Sequence, residues 1–257
     1  MDAALSANGE SVRRHDPDRF FCALFAPPER REALFTLYAF NHEIARAREV
    51  TSEPMLALIR LQWWREVVEG APRRHEVATP LAALLQAGVL HGDDLLAMIA
   101  GREVEAEEAI PTLDALCGYA EGIAGRLAVA AGRLLGAEED AMRRLMALGT
   151  GYGLVGILRR FPVLAREGRC LLPEDVLAAQ GMSRHAAMAD PKAVDLAGLV
   201  GAARAFLAEG RGAMRRPVIA AALPAVLARR DLGRAVAAPR GLGDRLAVVA
   251  AYAMGRV

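Results

Sequence analysis

The chain has almost no lysine: Lys192 is the only one among 32 Lys and Arg residues, so nearly every cation is a guanidinium. Net charge is also missing, with those 32 bases set against 31 Asp and Glu for a formal charge of +1 over 257 residues. That balance argues against a nucleic-acid partner, because nucleic-acid binders carry a basic excess gathered on one face. Cysteines are few: Cys22, Cys117 and Cys170 show no CxxC spacing. This excludes a disulfide framework and a cysteine zinc site, and points to core packing in a reducing compartment. No apolar run reaches the ~18 residues of a membrane span. The nearest, residues 217–228, is interrupted by Pro224. The first twenty residues lack the apolar stretch of a secretory signal. β-branched runs of period two, the mark of strands, are missing as well.

What is present is helical. With 54% hydrophobic residues the chain can bury a sizeable core, and no Ser/Gly/Pro-rich linker divides it. Residues 55–69 put Leu56, Ile59, Trp63 and Val67 on one face, with Ser52 and Pro54 as start signals and Gly70 as a stop. Residues 79–88, 93–107, 112–136, 137–167, 173–180, 192–214, 217–236 and 243–255 read the same way, punctuated by Pro111, Gly136 and Gly168. With residues 26–50 this predicts about nine helices in a single all-α domain over 18–257, preceded by a flexible segment over 1–17. Asp93 and Asp94 are expected as first-turn acids, and Glu103, Glu105, Glu107 and Glu108 as a solvated face. Trp63 and Trp64, neighbours on a helix, are expected as surface cover and core.

Two segments have more character. Residues 26–50 form a long amphipathic helix whose second half carries Asn41, His42, Glu43, Arg46, Arg48 and Glu49. Residues 149–173 hold Gly149, Gly151, Gly153 and Gly156. Glycine costs about 0.8–1 kcal/mol against alanine inside a helix, so the four point to close helix packing, a backbone lining a cavity, or a helix junction. His42 and Glu49 lie two turns apart and Glu43 points roughly 100° away from His42, which does not make a metal site. Arg46, Arg159 and Arg160 could bind phosphate oxygens bidentately or pair with Glu43 and Glu49.

In their order and separation these pieces resemble the squalene/phytoene synthase family. The similarity runs through residues 18–21 (DRFF), 28–34 (PERREAL), 37–40 (LYAF), 60–65 (RLQWWR), 119–125 (YAEGIAG), 157–159 (ILR), Gly168-Arg169 and Leu172-Pro173. The resemblance implies the all-α isoprenoid-synthase fold, a helical bundle around a central apolar cavity. It also implies that active members hold Mg²⁺ with two aspartate-rich motifs on facing helices. Those ions neutralise the diphosphates of prenyl donors, and hard oxygen ligands suit them.

The aspartates are not here. Aligned on Tyr38-Ala39-Phe40, the first motif's positions carry Ala45, Arg46 and Glu49. In the second, the aspartate positions carry Arg160 and Leu164, and the glutamate position Val163. Pro162 is expected to break or kink that helix. The similarity therefore implies a catalytically degenerate member acting as a binding or assembly module. The Asn41-His42-Glu43 and Ala45-Arg46-x-x-Glu49 pattern looks closer to the branch that contains the mitochondrial complex I assembly factor and its bacterial relatives than to active synthases. On that reading neither metal nor cofactor is needed, and candidate ligand residues are Tyr38, Phe40, His42, Glu43, Arg46, Glu49, Arg159 and Arg160. A prenyl or lipid phosphate and respiratory-complex subunits are the implied partners. The implied location is cytoplasmic, with peripheral contact at the inner membrane. The alternatives are an active Mg²⁺-dependent head-to-head prenyltransferase and a carrier of small apolar ligands. Either family reading requires Glu49, Arg46 and Arg160 to approach one another around the cavity.

Overall fold

A computed structural model describes residues 5–51, 53–107, 109–234 and 239–257. The helices are α1 (Ala7–His15), α2 (Pro17–Ala23), α3 (Pro28–Ala45), α4 (Pro54–Val68), α5 (Ala78–Gln86), α6 (Gly92–Glu103) and α7 (Leu113–Ala120). They continue with α8 (Arg126–Leu134), α9 (Glu139–Arg166), α10 (Glu174–Ala178), α11 (Arg184–Ala189), α12 (Ala197–Glu209), α13 (Arg216–Ala222), α14 (Pro224–Asp231) and α15 (Leu242–Met254). Among the described residues there is no strand, only an isolated bridge between Ala213 and Arg256. No described helix is long and apolar enough to cross a membrane.

Local chemistry sets most boundaries. Prolines open α2, α3, α4 and α14, where the missing N–H would be unsatisfied anyway. Thr112 accepts from the Ala115 amide and starts α7. The stretch 112–136, expected as one helix, is α7 and α8 joined by a π turn over Glu121–Gly125. Pro224 divides 217–236 into α13 and α14; residues 235 and 236 lie outside the described residues, as does Ser52. Pro162 does not break α9, which runs on to Arg166. Burial of Phe161, Leu164 and Ala165 around the proline outweighs its lost hydrogen bond.

The flexible segment expected over 1–17 is not found over 7–15. Ser6 caps α1 by accepting from the Gly9 amide at 3.0 Å. Val12 enters the core, and the buried Asn8 amide donates to Thr36 Oγ1 at 3.0 Å, tying α1 to α3. Residues 1–4 of that segment lie outside the described residues. Trp64 is buried against Phe40 with ring centroids 5.5 Å apart, and Trp63 covers it from the partly exposed side.

The 28-residue α9 is the centre of the bundle, touching α7, α8, the π turn, α12, α13 and α14. Its glycines allow this. A Cβ on Gly149 would lie 2.5 Å from the Ala124 carbonyl oxygen, one on Gly151 2.7 Å from Leu207, and one on Gly153 2.7 Å from the Ala124 methyl. A Cβ on Gly156 would meet nothing within 4 Å, because that turn of α9 faces a cavity. Two of the three roles expected of the glycine run are therefore present, packing at its start and cavity lining at its end, and none of the four marks a helix junction, since α9 runs through them all.

These contacts predict opposite signs for two alanine substitutions, measured by chemical denaturation. Gly149→Ala should cost about 1–3 kcal/mol from forced separation of α9 and the π turn. Gly156→Ala should be neutral or stabilise by up to about 1 kcal/mol through helix propensity.

Candidate functional site

α9 faces the C-terminal end of α3 across a cavity of about 500 Å³. Helical spacing explains which α3 side chains reach it: Asn41, His42 and Ala45 share a face, and Glu49 follows in the turn after the helix. The start of α2 adds Asp16, Asp18 and Arg19; the segment around the π turn adds Tyr119, Ile123 and Ala124; α9 adds Tyr152, Gly153, Gly156, Ile157, Arg159, Arg160 and Leu164. Arg102, Glu105, Arg169 and Arg240 complete the wall. The expected apolar cavity is thus only half apolar. Ala45, Ile123, Ile157, Leu164 and Leu171 line it beside six guanidiniums and four carboxylates.

Of the eight candidate residues, His42, Glu49, Arg159 and Arg160 line this cavity and four do not. Phe40 is fully buried on the opposite side of α3, against Trp64. Tyr38 lies one turn deeper, its ring 5.9 Å from the guanidinium of Arg19. Arg46 turns outward and pairs with Glu43 at 3.4 Å. Of the three groups expected to converge, two do: Arg160 donates to Glu49 at 2.7 Å. Arg46 stays outside because its neighbour in sequence, Ala45, takes the cavity-facing position.

The remaining charges form closed sets. Arg159 donates to Asp231 at 2.7 Å; Asp231 also accepts from Arg240, whose guanidinium reaches Asp18 at 2.7 Å. Arg19 holds Asp16 at 2.7 Å and lies over the Tyr152 ring, 4.7 Å from its centroid. The most buried set centres on Glu105, which accepts from Arg102 at 2.7 Å, from Arg169 at 2.8 Å and from the Tyr119 hydroxyl at 2.8 Å. Glu105 was expected on a solvated face, but its side chain is only 7% exposed. A 3₁₀ turn over Val104–Ala106 ends α6 and turns this carboxylate inward; Glu108 lies outside the described residues. The spacing Arg102-x-x-Glu105, a helical ion pair, was the available signal. Burial alone would raise the Glu105 pKa, but Arg102, Tyr119 and Arg169 outweigh it and hold the group below the ordinary carboxylate value.

Two polar atoms at the α3 wall are left over. Asn41 Oδ1 and His42 Nε2 are buried with no hydrogen-bond partner among the described residues. The His42 ring stacks on His15 with centroids 4.2 Å apart, and burial, then the neighbouring His15, push its pKa down. A neutral His42 beside Asn41 offers an unpaired donor and acceptor to a ligand.

A hard divalent cation does not fit these donors. Each of the four carboxylates lining the cavity is already in an ion pair with arginine. Among the described residues no three His, Cys, Asp or Glu side chains gather as a metal site. Where α3 and α9 face each other, the pair is Glu49 with a guanidinium.

Residues 12–251 match the squalene/phytoene synthase family model. The chain belongs to the squalene/phytoene synthase family. Human NADH dehydrogenase (ubiquinone) complex I, assembly factor 6 is 28% identical over 182 residues, covering 68% of this chain and 55% of that protein. The chain thus spans about half the length of the mammalian relatives it matches. A presqualene diphosphate synthase of Sinorhizobium fredii is 30% identical over 185 residues, covering 65% of this chain and 64% of that one. Among solved structures, a dehydrosqualene synthase superposes with a TM-score of 0.75 at 14% identity, over 96% of this chain and 94% of that one. Squalene synthase HpnC from Alicyclobacillus acidocaldarius gives 0.69 at 18%, over 96% and 92%. At such identities the likeness establishes the squalene/phytoene synthase fold.

Within this family scaffold the Glu105 set is a testable structural element. Its depressed pKa means that its contribution to stability is present above the unfolded-state value of about 4.3 and is lost as pH falls through the folded-state value. Glu105→Gln should destabilise the protein by about 3–5 kcal/mol at pH 7, by leaving Arg102 and Arg169 poorly compensated. The gap to wild type should narrow in denaturation curves taken below about pH 4.

Proposed function

We propose that this chain is a catalytically degenerate squalene/phytoene synthase family member that binds a prenyl or lipid phosphate in the α3–α9 cavity and serves in respiratory complex I assembly. The observation that carries the reading is the Glu49–Arg160 ion pair. It sets a fixed guanidinium where the family resemblance implies metal-binding carboxylates. Arginine binds phosphate oxygens directly and bidentately, so an anionic head group can be held there without a metal. The unpaired Asn41 and His42 atoms, and the apolar wall of Ile123, Ile157 and Leu164, suit the remainder of an amphiphile.

The assembly role rests on the similarity to proteins named complex I assembly factor 6 in human, cattle and mouse. Peripheral membrane contact is part of the same reading. It is supported by α15, which exposes Leu242, Leu246, Val249 and Met254 to solvent. The competing reading, an Mg²⁺-dependent prenyltransferase, is favoured by the similarity to presqualene diphosphate synthase.

Incubation with farnesyl or geranylgeranyl diphosphate separates the two. The proposal expects neither diphosphate release nor a C30 or C40 product, with or without Mg²⁺, while a crosslinking pulldown from the native cell recovers respiratory subunits. Mg²⁺-dependent turnover would overturn the degenerate reading.

A further inference from the structure

A second cleft, of about 320 Å³, lies between α12 and α14, away from the α3–α9 cavity. Its lining contains three arginines, Arg204, Arg211 and Arg229, with Leu207, Ala208 and Leu232 between them. Spacing accounts for the arrangement. Arg204, Ala208 and Arg211 recur at steps of four and three on one side of α12 and the turn after it, so a small residue separates two guanidiniums. Arg229 and Leu232 come from the facing side of α14 and its end, and Gly233 leaves that edge without a side chain.

The charge here differs from that of the α3–α9 cavity. The guanidiniums of the α3–α9 cavity are matched with carboxylates, whereas among the described residues no carboxylate lines this cleft. Among the described residues Arg204, Arg211 and Arg229 make no ion pair. Asp231 and Asp244 are occupied by Arg159, Arg240, Arg230 and Arg234, and Glu209 at the end of α12 does not line the cleft. Arg229 donates to the Leu207 carbonyl at 2.7 Å, which fixes its guanidinium at the end of α12. That single bond uses one of its five N–H donors. Burial, and then the charge of Arg211, push the Arg229 pKa below its ordinary value, the sign of cations gathered without a counter-charge.

We propose that the α12–α14 cleft is a phosphate-binding site, taking a phosphoryl group on Arg204, Arg211 and Arg229. Three guanidiniums match the several oxygens and double charge of a phosphate better than a single carboxylate does. The apolar side chains between them leave room for a non-polar attachment to that phosphate. The site is independent of the α3–α9 cavity, and it stands or falls separately from the proposal made for that cavity.

Calorimetric titration with inorganic diphosphate tests it on Arg160→Gln, which lacks the cavity guanidinium, and on Arg160→Gln combined with R204A/R211A, whose two added changes fall on exposed side chains and should not affect folding. Binding to Arg160→Gln should persist, should weaken with added salt, and should fall about tenfold or more when R204A/R211A is added. Sedimentation with phosphatidylcholine vesicles, with and without phosphatidic acid, identifies the source. Arginine-dependent retention on phosphatidic acid assigns the site to a lipid head group, and diphosphate binding without retention assigns it to a free phosphate compound. Diphosphate binding to Arg160→Gln that R204A/R211A leaves undiminished, or no binding by either probe, would overturn the site.

Discussion

Arg160 brings a fixed positive charge to the place where α9 faces the end of α3, and Glu49 meets it from 111 residues away in the sequence. A divalent ion at such a junction can exchange and can bridge two sets of carboxylates to a phosphate. A guanidinium does neither: it is covalently part of α9, and in donating to Glu49 it engages the one carboxylate from the end of α3 and the turn after it that lines the cavity. The contact joins the two segments on which the family resemblance rests. Its partners are 54% and 31% exposed, so it contributes little to stability at the solvated mouth. Its importance is chemical.

Stability near the cavity comes from deeper pairs. Glu105 with Arg102, Arg169 and Tyr119 ties the end of α6 to α7 and to the segment after α9. Asp231 with Arg159 and Arg240 ties α9 to α14 and, through Asp18, to α2. Buried charges are tolerable only when their hydrogen-bonding capacity is met, which explains why these sets are nearly closed. The few polar atoms left over are the informative ones, and Asn41 Oδ1 and His42 Nε2 both belong to residues lining the cavity.

Helix periodicity and punctuation were legible in the sequence because they depend on neighbours three and four residues away. Thr112, Pro54 and the glycines after α9 and before α8's successor act within a turn or two, and the helices began or ended close to them. The facing of residues 26–50 and 149–173 was legible through the family resemblance, and Glu49 and Arg160 do meet. Long-range partners were not legible. Nothing near Glu105 in sequence announces Arg169, 64 residues on, so its acidic surroundings suggested solvent. Nor does the sequence distinguish Ala45 facing the cavity from Arg46 turning away, a rotation of about 100° between neighbours that depends on how α3 seats in the bundle.

On the proposal made for this cavity, the junction of α3 and α9 holds an anion through arginine rather than a divalent cation through carboxylates. Titration of Mn²⁺ followed by electron paramagnetic resonance tests it most directly, in the presence of inorganic diphosphate and with Glu49→Gln as the control. The expected result is that the protein withdraws no Mn²⁺ from solution beyond what diphosphate alone complexes, and that Glu49→Gln leaves this unchanged. A protein-bound Mn²⁺ signal that disappears in Glu49→Gln would contradict it.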